Sequence, residues 1–346
     1  MFIYWAFEDQ GSGNVIQGYT EAARALGHEV AVYGRPNPKI PLNYSIDIES
    51  ADALVFLFEW TTRLRQGDPM DLARLLAKVP RRRRVIIDGD GNFNDPIRVE
   101  NDYNHREPAE RALWMEVCRS LSDKICQPTT RPLRKDVLPF LFYAYNPAWE
   151  IPLDFRAKEY AMIYLGNSKF RWGSMSRVLR AIEPVRERLG RIALVGCGWD
   201  GLPPWAALMN MEDAYRVDSA YLRKLYVEVL PAVPFHQVIP WMSKAVFNTI
   251  LTRPTFNYMR LVTPRFFETL AANTIPLFGV DAEHVADIYG PQGVELALCA
   301  GASERIADLV QRPDRYAELV LGIRRHLTEN HSHAARLREL VEIVDS

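Results

Sequence analysis

The sequence predicts an α/β protein: two doubly wound, mostly parallel sheets facing one another across a cleft. Three observations carry this reading. Short apolar runs alternate with amphipathic helical segments along most of the 346 residues, the pattern of repeated β-α units that builds a parallel sheet. Several runs, such as Ala53–Phe58 (ALVFLF), are apolar without interruption, as strands buried on both faces are. The alternation loosens over AYNPAWEIPLDFRAKEY (residues 144–160) and then restarts, which reads as a connection between two domains, 1–150 and 151–333.

In the first half, Phe2–Ala6 is a short strand ending at a polar, glycine-bearing loop, Glu8 to Asn14. A helix from about Asn14 to Leu26 stops at Gly27, and Val30–Tyr33 is the next strand. Ala53–Phe58 is the third strand and Met70–Lys78 a helix; Arg84–Ile87 leads into a fourth strand that ends at Asp88-Gly89-Asp90-Gly91. Pro108–Ser120 reads as helix and Lys124–Gln127 as a fifth strand. The second half gives strands at Ala161–Leu165, Arg191–Val195, Val227–Val233, Val246–Leu251 and Ile275–Phe278, with helices at Ser174–Leu189 and Pro264–Ala272. From Ala302 to Val344 the spacing of Leu, Ile and Val is helical. Two Rossmann-like domains follow, and ligands of such sheets bind outside the carboxyl ends of the strands.

Composition narrows the function classes. With 42 Lys plus Arg against 43 Asp plus Glu, the chain carries no basic excess for a nucleic-acid backbone or an anionic membrane. No apolar run approaches the roughly 18–20 residues that span a bilayer. The N-terminus, MFIYWAFEDQ, lacks the basic stretch and length of a signal peptide. Cys118, Cys126, Cys197 and Cys299 lie in apolar stretches without CxxC spacing and read as buried reduced thiols, so a cytoplasmic protein is expected. The histidines offer no HExxH pattern, and no metal site is expected.

The most informative stretch is Val262–Val280, VTPRFFETLAANTIPLFGV. Thr263 is the expected N-cap of a helix with Pro264 as its first residue. Arg265 and Glu268 then lie one turn apart on one face. Free N–H groups beside an arginine suit a diphosphate, and a carboxylate one turn on can accept hydrogen bonds from two ribose hydroxyls. The alternative is a capped core helix with an exposed Arg–Glu pair. The stretch resembles the donor-binding helix of GT-B glycosyltransferases. Upstream, FHQVIPWMSKAVFNTILTRP (235–254), MIYLGNSKFRWGSM (162–175) and VGCGWDG (195–201) are similar, in the family's order, to the units that precede that helix. The closest subgroup by resemblance is bacterial glycosyltransferase family 1 and the CgeB-like, spore-maturation-type proteins.

The resemblance implies a nucleoside-diphosphate sugar as donor (UDP- or GDP-linked), an unidentified acceptor, no required cofactor or metal, and transfer with retention. It places the donor on the second domain and the acceptor on the first, with a last helix (334–346) packing back on the first domain. A nucleotide-sugar epimerase of the same fold and a non-catalytic nucleotide-binding protein are the alternatives. One departure stands out: where the large retaining families carry the first glutamate of E-x7-E, this chain has Arg260. TPRFFE also resembles the donor motif of GT-B fucosyltransferases, which leaves inversion open.

Other candidates follow from position after a strand. Lys169 and Arg171, beyond the strand ending at Gly166, offer cations for a leaving diphosphate. His236 would sit near the base. Gly11, Ser12 and Gly13 form a tight loop before the first helix, where backbone can approach a ligand. Asp88-Gly89-Asp90-Gly91-Asn92-Phe93-Asn94-Asp95 starts like a calcium loop, but Phe93 and Val99 occupy the positions that need Gly and Glu. It reads instead as an acceptor-side loop with Asp88 or Asp90, or else His105, as candidate base if the reaction inverts. Arg81–Arg84 reads as a solvated turn.

Overall fold

The computed structural model describes every residue except 6–11, 35, 37–40, 60–68, 101, 104–107, 209 and 300. The first half runs β1 (Phe2–Trp5), α1 (Gly13–Ala25), β2 (Ala31–Tyr33), β3 (Tyr44–Ser45), β4 (Leu54–Phe58), α2 (Pro69–Lys78), β5 (Arg84–Asp88), β6 (Arg98–Val99), β7 (Asp102–Tyr103), α3 (Pro108–Leu121), β8 (Lys124–Gln127) and β9 (Leu138–Pro139). The second half continues with β10 (Tyr160–Leu165), α4 (Trp172–Ile182), β11 (Ile192–Val195), α5 (Pro204–Leu208), α6 (Ser219–Lys224), β12 (Val227–Leu230), α7 (Val238–Met242), β13 (Ala245–Ile250) and α8 (Pro254–Met259). It closes with α9 (Arg265–Ala271), β14 (Ile275–Phe278), α10 (Ala282–Tyr289), α11 (Ala302–Gln311), α12 (Ala317–His331) and α13 (His333–Asp345).

The strands form two separate parallel sheets, ordered β3-β2-β1-β4-β5-β8-β9 and β12-β11-β10-β13-β14. Each is doubly wound, with a switch point between β1 and β4 and between β10 and β13, where ligands of such sheets bind. The apolar runs have the expected cause. Leu54, Phe56 and Phe58 of β4 pack with Ile86, Trp114 and Leu121 on one face. Val55 and Leu57, pointing the other way, pack with Ile3, Ile16 and Tyr19. The antiparallel β6–β7 hairpin stands outside both sheets.

The last helix returns to the first sheet. Lys124 donates to the carbonyl of Val344 (2.9 Å). His333 lies edge-on to Tyr19 of α1 (5.4 Å between rings), so close to Gly18 that an added Cβ would stand 2.3 Å from its ring.

Three expectations change in physical detail. The helix read as Ser174–Leu189 leaves α geometry at Ile182 and continues as 3₁₀ turns through Arg188, because Pro184 cannot donate to the preceding turn. Of the arginine run, Arg84 is buried, donating to the carbonyls of Val79 (2.8 Å), Leu121 (3.2 Å) and Leu76. It closes the carboxyl ends of α2 and α3, whose last carbonyls lack helical partners. Cys118 and Cys126 are buried, whereas Cys197 and Cys299 are exposed because they follow the ends of strands or turns rather than lying within them.

The halves are joined by a buried ion pair. Asp102, its side chain 0% exposed, meets the guanidinium of Arg253, accepts from the Thr255 amide (2.9 Å) and from its hydroxyl (2.6 Å), and so caps α8 from the other half. Beside it, Gly91 (φ +69°) leaves no room for a Cβ, which would stand 2.6 Å from Met259 Sδ. Ile97, Phe256, Met259 and Leu261 complete this apolar contact. Removing one partner of a buried pair strands the other, at a cost of about 3–5 kcal/mol. Asp102→Ala should lower unfolding stability in urea by about that amount; a loss below ~1 kcal/mol would show that water satisfies Arg253 when the carboxylate is gone.

Candidate functional site

The loop after β10 is fixed by its neighbour after β11. Gly196 approaches so closely that a Cβ there would be 2.3 Å from the Gly166 carbonyl. Trp199 donates its indole N–H to that carbonyl (2.7 Å), and Ser168 donates to the carbonyls of Cys197 (3.0 Å, backbone) and Gly198 (2.8 Å, hydroxyl). Phe170 is then held in the left-handed region (φ +55°), its amide on the Ala214 carbonyl (2.6 Å) and its ring buried with Ala206, Ala214 and Tyr215. Such a conformation is costly for a bulky residue and is tolerated where the surroundings over-determine it. Lys169 and Arg171 flank this buried ring in sequence, and both are half-buried.

Lys169 is half-buried, and burial lowers its ammonium pKa to about 8, with Arg253 and Arg171 pushing the same way and Asp90 and Asp102 opposing. Arg171 is held by Asn167 Oδ1 (2.6 Å) and the Lys169 carbonyl (3.1 Å). Asp90, on the loop after β5, is thus an electrostatic neighbour of Lys169 from the opposite sheet. These groups converge.

On α9, Pro264 already has helical φ and ψ, and Thr263 contributes its carbonyl to the Phe266 amide (3.0 Å). Arg265 and Glu268 form an ion pair (3.1 Å) in which the carboxylate is almost wholly buried. Burial raises the Glu268 pKa and Arg265 opposes the shift. Among the described residues no hydrogen bond satisfies its Oε2 beyond that ion pair, so acceptor capacity is left for a ligand. The far end of α9 is anchored by Arg324 of α12, which donates to the carbonyls of Leu270 (2.8 Å) and Ala272 (2.8 Å). His236 is exposed, in the turn before α7, a helix that packs against α9.

On the first sheet, Asp88 is fully buried and accepts from the amides of Asn92 (2.9 Å) and Phe93 (2.7 Å) and from Gln127 Nε2 (2.8 Å). Burial raises its pKa to about 6 against these hydrogen bonds. Its oxygens thus shape the 88–95 loop, which accounts for the calcium-like spacing. Ser12 is buried and donates to Glu59, which also accepts from Tyr143 (2.6 Å). Gly13 opens α1. Gly11 and His105 lie outside the described residues. The Ser12–Glu59–Tyr143 group at the β1–β4 switch point and the Asp102–Arg253 pair carry no local sequence signal, since their members are 47 to 151 positions apart.

No protein-family model and no curated protein matches the chain. Solved structures do. A T4 phage β-glucosyltransferase in complex with UDP-glucose is 15% identical, with a TM-score of 0.58 over 100% of both chains. A glycosyltransferase from Rickettsia africae is 10% identical (TM-score 0.51, 99% of this chain and 96% of that one). An O-GlcNAc transferase from Thermobaculum terrenum is 11% identical (TM-score 0.54, 99% and 67%). The fold is therefore the GT-B fold of nucleotide-sugar glycosyltransferases, with two Rossmann-like domains.

The convergence of Lys169 with Arg171 and Arg253 has a measurable consequence. An anion held by Lys169 should bind more weakly as pH rises through about 8 and the ammonium loses its proton. Titrating inorganic pyrophosphate calorimetrically from pH 7 to 9 should show a steeper decline for the wild type than for Lys169→Arg, which stays charged. Equal slopes would place Lys169 away from the anion.

Proposed function

We propose that the chain is a glycosyltransferase that moves a sugar from a nucleoside-diphosphate sugar to an acceptor bound toward the first sheet. The observation that carries this reading is Glu268: a buried carboxylate with unfilled acceptor capacity, beside Arg265 at the start of α9. In this reading Glu268 accepts hydrogen bonds from the ribose, and Thr263 and Pro264 set the helix start against the phosphates. Arg265, Lys169 and Arg171 offset the charge of the departing diphosphate, the part a divalent metal plays elsewhere. His236 lies on the base side, and Ser12 and Gly13, with Gly11 before them, border the cleft from the first sheet. The motif order supports the CgeB-like assignment within the GT-B fold.

Asp90 is our candidate general base. It is an electrostatic neighbour of Lys169 from the loop after β5, whereas Asp88 has its oxygens committed to the loop it shapes. Arg260, at the position of the missing glutamate, is paired with Glu283 (2.8 Å) and turned toward α10. A base opposite the donor and no carboxylate at position 260 favour direct displacement with inversion over the retention that the resemblance implies. Proton removal by Asp90 would accompany attack of the acceptor hydroxyl on the anomeric carbon, as the carbon–oxygen bond to the diphosphate breaks.

Glu268→Ala should weaken binding of UDP or GDP, whichever binds the wild type, by about 1–3 kcal/mol, the range for losing a charged hydrogen-bond partner. Unchanged calorimetric affinity for both would remove Glu268 from the site. Arg265→Ala should fold normally and lower kcat for diphosphate release by about 10²–10³, and EDTA should leave wild-type turnover intact. Activity abolished by EDTA and restored by Mg²⁺ would overturn the metal-independent part of this reading.

A further inference from the structure

A second cavity, of about 550 Å³, opens between the β6–β7 hairpin and the start of α4. Phe170, with the Arg253 guanidinium 4.6 Å from its ring centre, forms part of its wall. Its walls come from both halves of the chain, with Glu100 on the hairpin, Trp172 and Arg177 on α4, and Asp213 and Arg216 on the turn before α6. Arg180, one helical turn from Arg177, completes the basic side. Arg177, Arg180 and Arg216 are exposed and form no ion pair among the described residues, and Glu100 and Asp213 stand exposed in the same wall.

We infer that this cavity is a binding site for an anionic saccharide, the part of the acceptor remote from the reacting hydroxyl. The inference rests on the glycosyltransferase reading for the word acceptor, but its chemistry stands on the wall. A half-buried indole offers a flat apolar face to the C–H face of a sugar ring. Guanidinium groups donate in a fork that fits carboxylate or phosphate oxygens. Glu100 and Asp213 accept from sugar hydroxyls, which the arginines cannot do because they only donate. Three arginines against two carboxylates leave the wall with a positive excess that a neutral sugar would not answer, and a simple inorganic anion would leave the indole and the carboxylates unused. Because Glu100 belongs to the hairpin and Arg177 to α4, the ligand would touch both halves at once.

The test uses the full-length protein and four probes: glucuronic acid, glucose 6-phosphate, glucose and inorganic phosphate. Binding is followed by saturation-transfer NMR and by Trp fluorescence, with UDP and GDP affinities measured in parallel. We expect one or both anionic sugars to bind at least about tenfold more tightly than glucose or phosphate. Whichever does so separates a carboxylate ligand from a phosphate ligand. Arg177→Ala/Arg216→Ala should reduce that binding by about tenfold or more and leave nucleotide affinity unchanged. Trp172→Leu should weaken the sugar acids while sparing the nucleotides. The inference is overturned if anionic sugars bind no better than glucose, if the double variant binds them as the wild type does, or if UDP displaces them competitively, which would make the cavity part of the donor site. Failure of nucleotide binding alone would count against the glycosyltransferase reading and leave this cavity's chemistry standing.

Discussion

Asp102 and Arg253 hold the molecule together where it matters for chemistry. A carboxylate with no solvent exposure is stable only when its charge is answered, and here one guanidinium, one amide and one hydroxyl answer it. The consequences run outward. The same guanidinium rests on Phe170, the strained residue between Lys169 and Arg171. Asp102 meanwhile fixes the start of α8, whose far end receives the 88–95 loop through Met259 and Gly91.

The cationic side of the cleft is assembled against electrostatic resistance. Lys169, Arg171 and Arg253 repel one another, and burial adds to the cost of charging the lysine. The protein offsets this with Asp90 and Asp102 and with rigid loop geometry rather than by spreading the charges apart. Cations gathered in a partly dry site interact strongly with an anion that arrives later, because no reorganisation is then required. The price is an empty site that is less stable than it could be, a common feature of functional regions.

The parts of this design legible in the sequence share a property: each is local. Parallel strands covered on both faces appear as unbroken apolar runs, and β4 and β10 are readable for that reason. The Thr263–Glu268 segment carries its helix start and charged pair within six consecutive residues, although the helix begins one residue later than the sequence suggests, with Pro264 at the cap position and no side-chain cap from Thr263. What escaped is non-local. Asp102 meets Arg253 across 151 positions, and the short hairpin that presents it has too few residues for a periodic signal. Arg84 sits in a basic run that reads as solvated, and Arg324 lies in a helical stretch with no signal of its own, yet each is buried against carbonyls at helix ends. Asp88 was readable as acidic and strand-terminal, but only the fold reveals that its oxygens face its own loop.

The chain crosses between the two sheets twice, and the crossings touch. On the outward path Tyr145 donates its amide to the carbonyl of His331 (2.8 Å) and pairs in parallel with Ser332, the residue at which the chain returns. A few residues on, Arg324 ties Ile151 to the end of α9, donating to Ile151 at 3.1 Å. The connection beyond Tyr145 is therefore bonded to both α9 and α12. The two crossings, at 145 and 331–333, are tied to each other by backbone, and the Asp102–Arg253 pair adds a side-chain tie between the same halves, so the two sheets are held at more than one place along the chain.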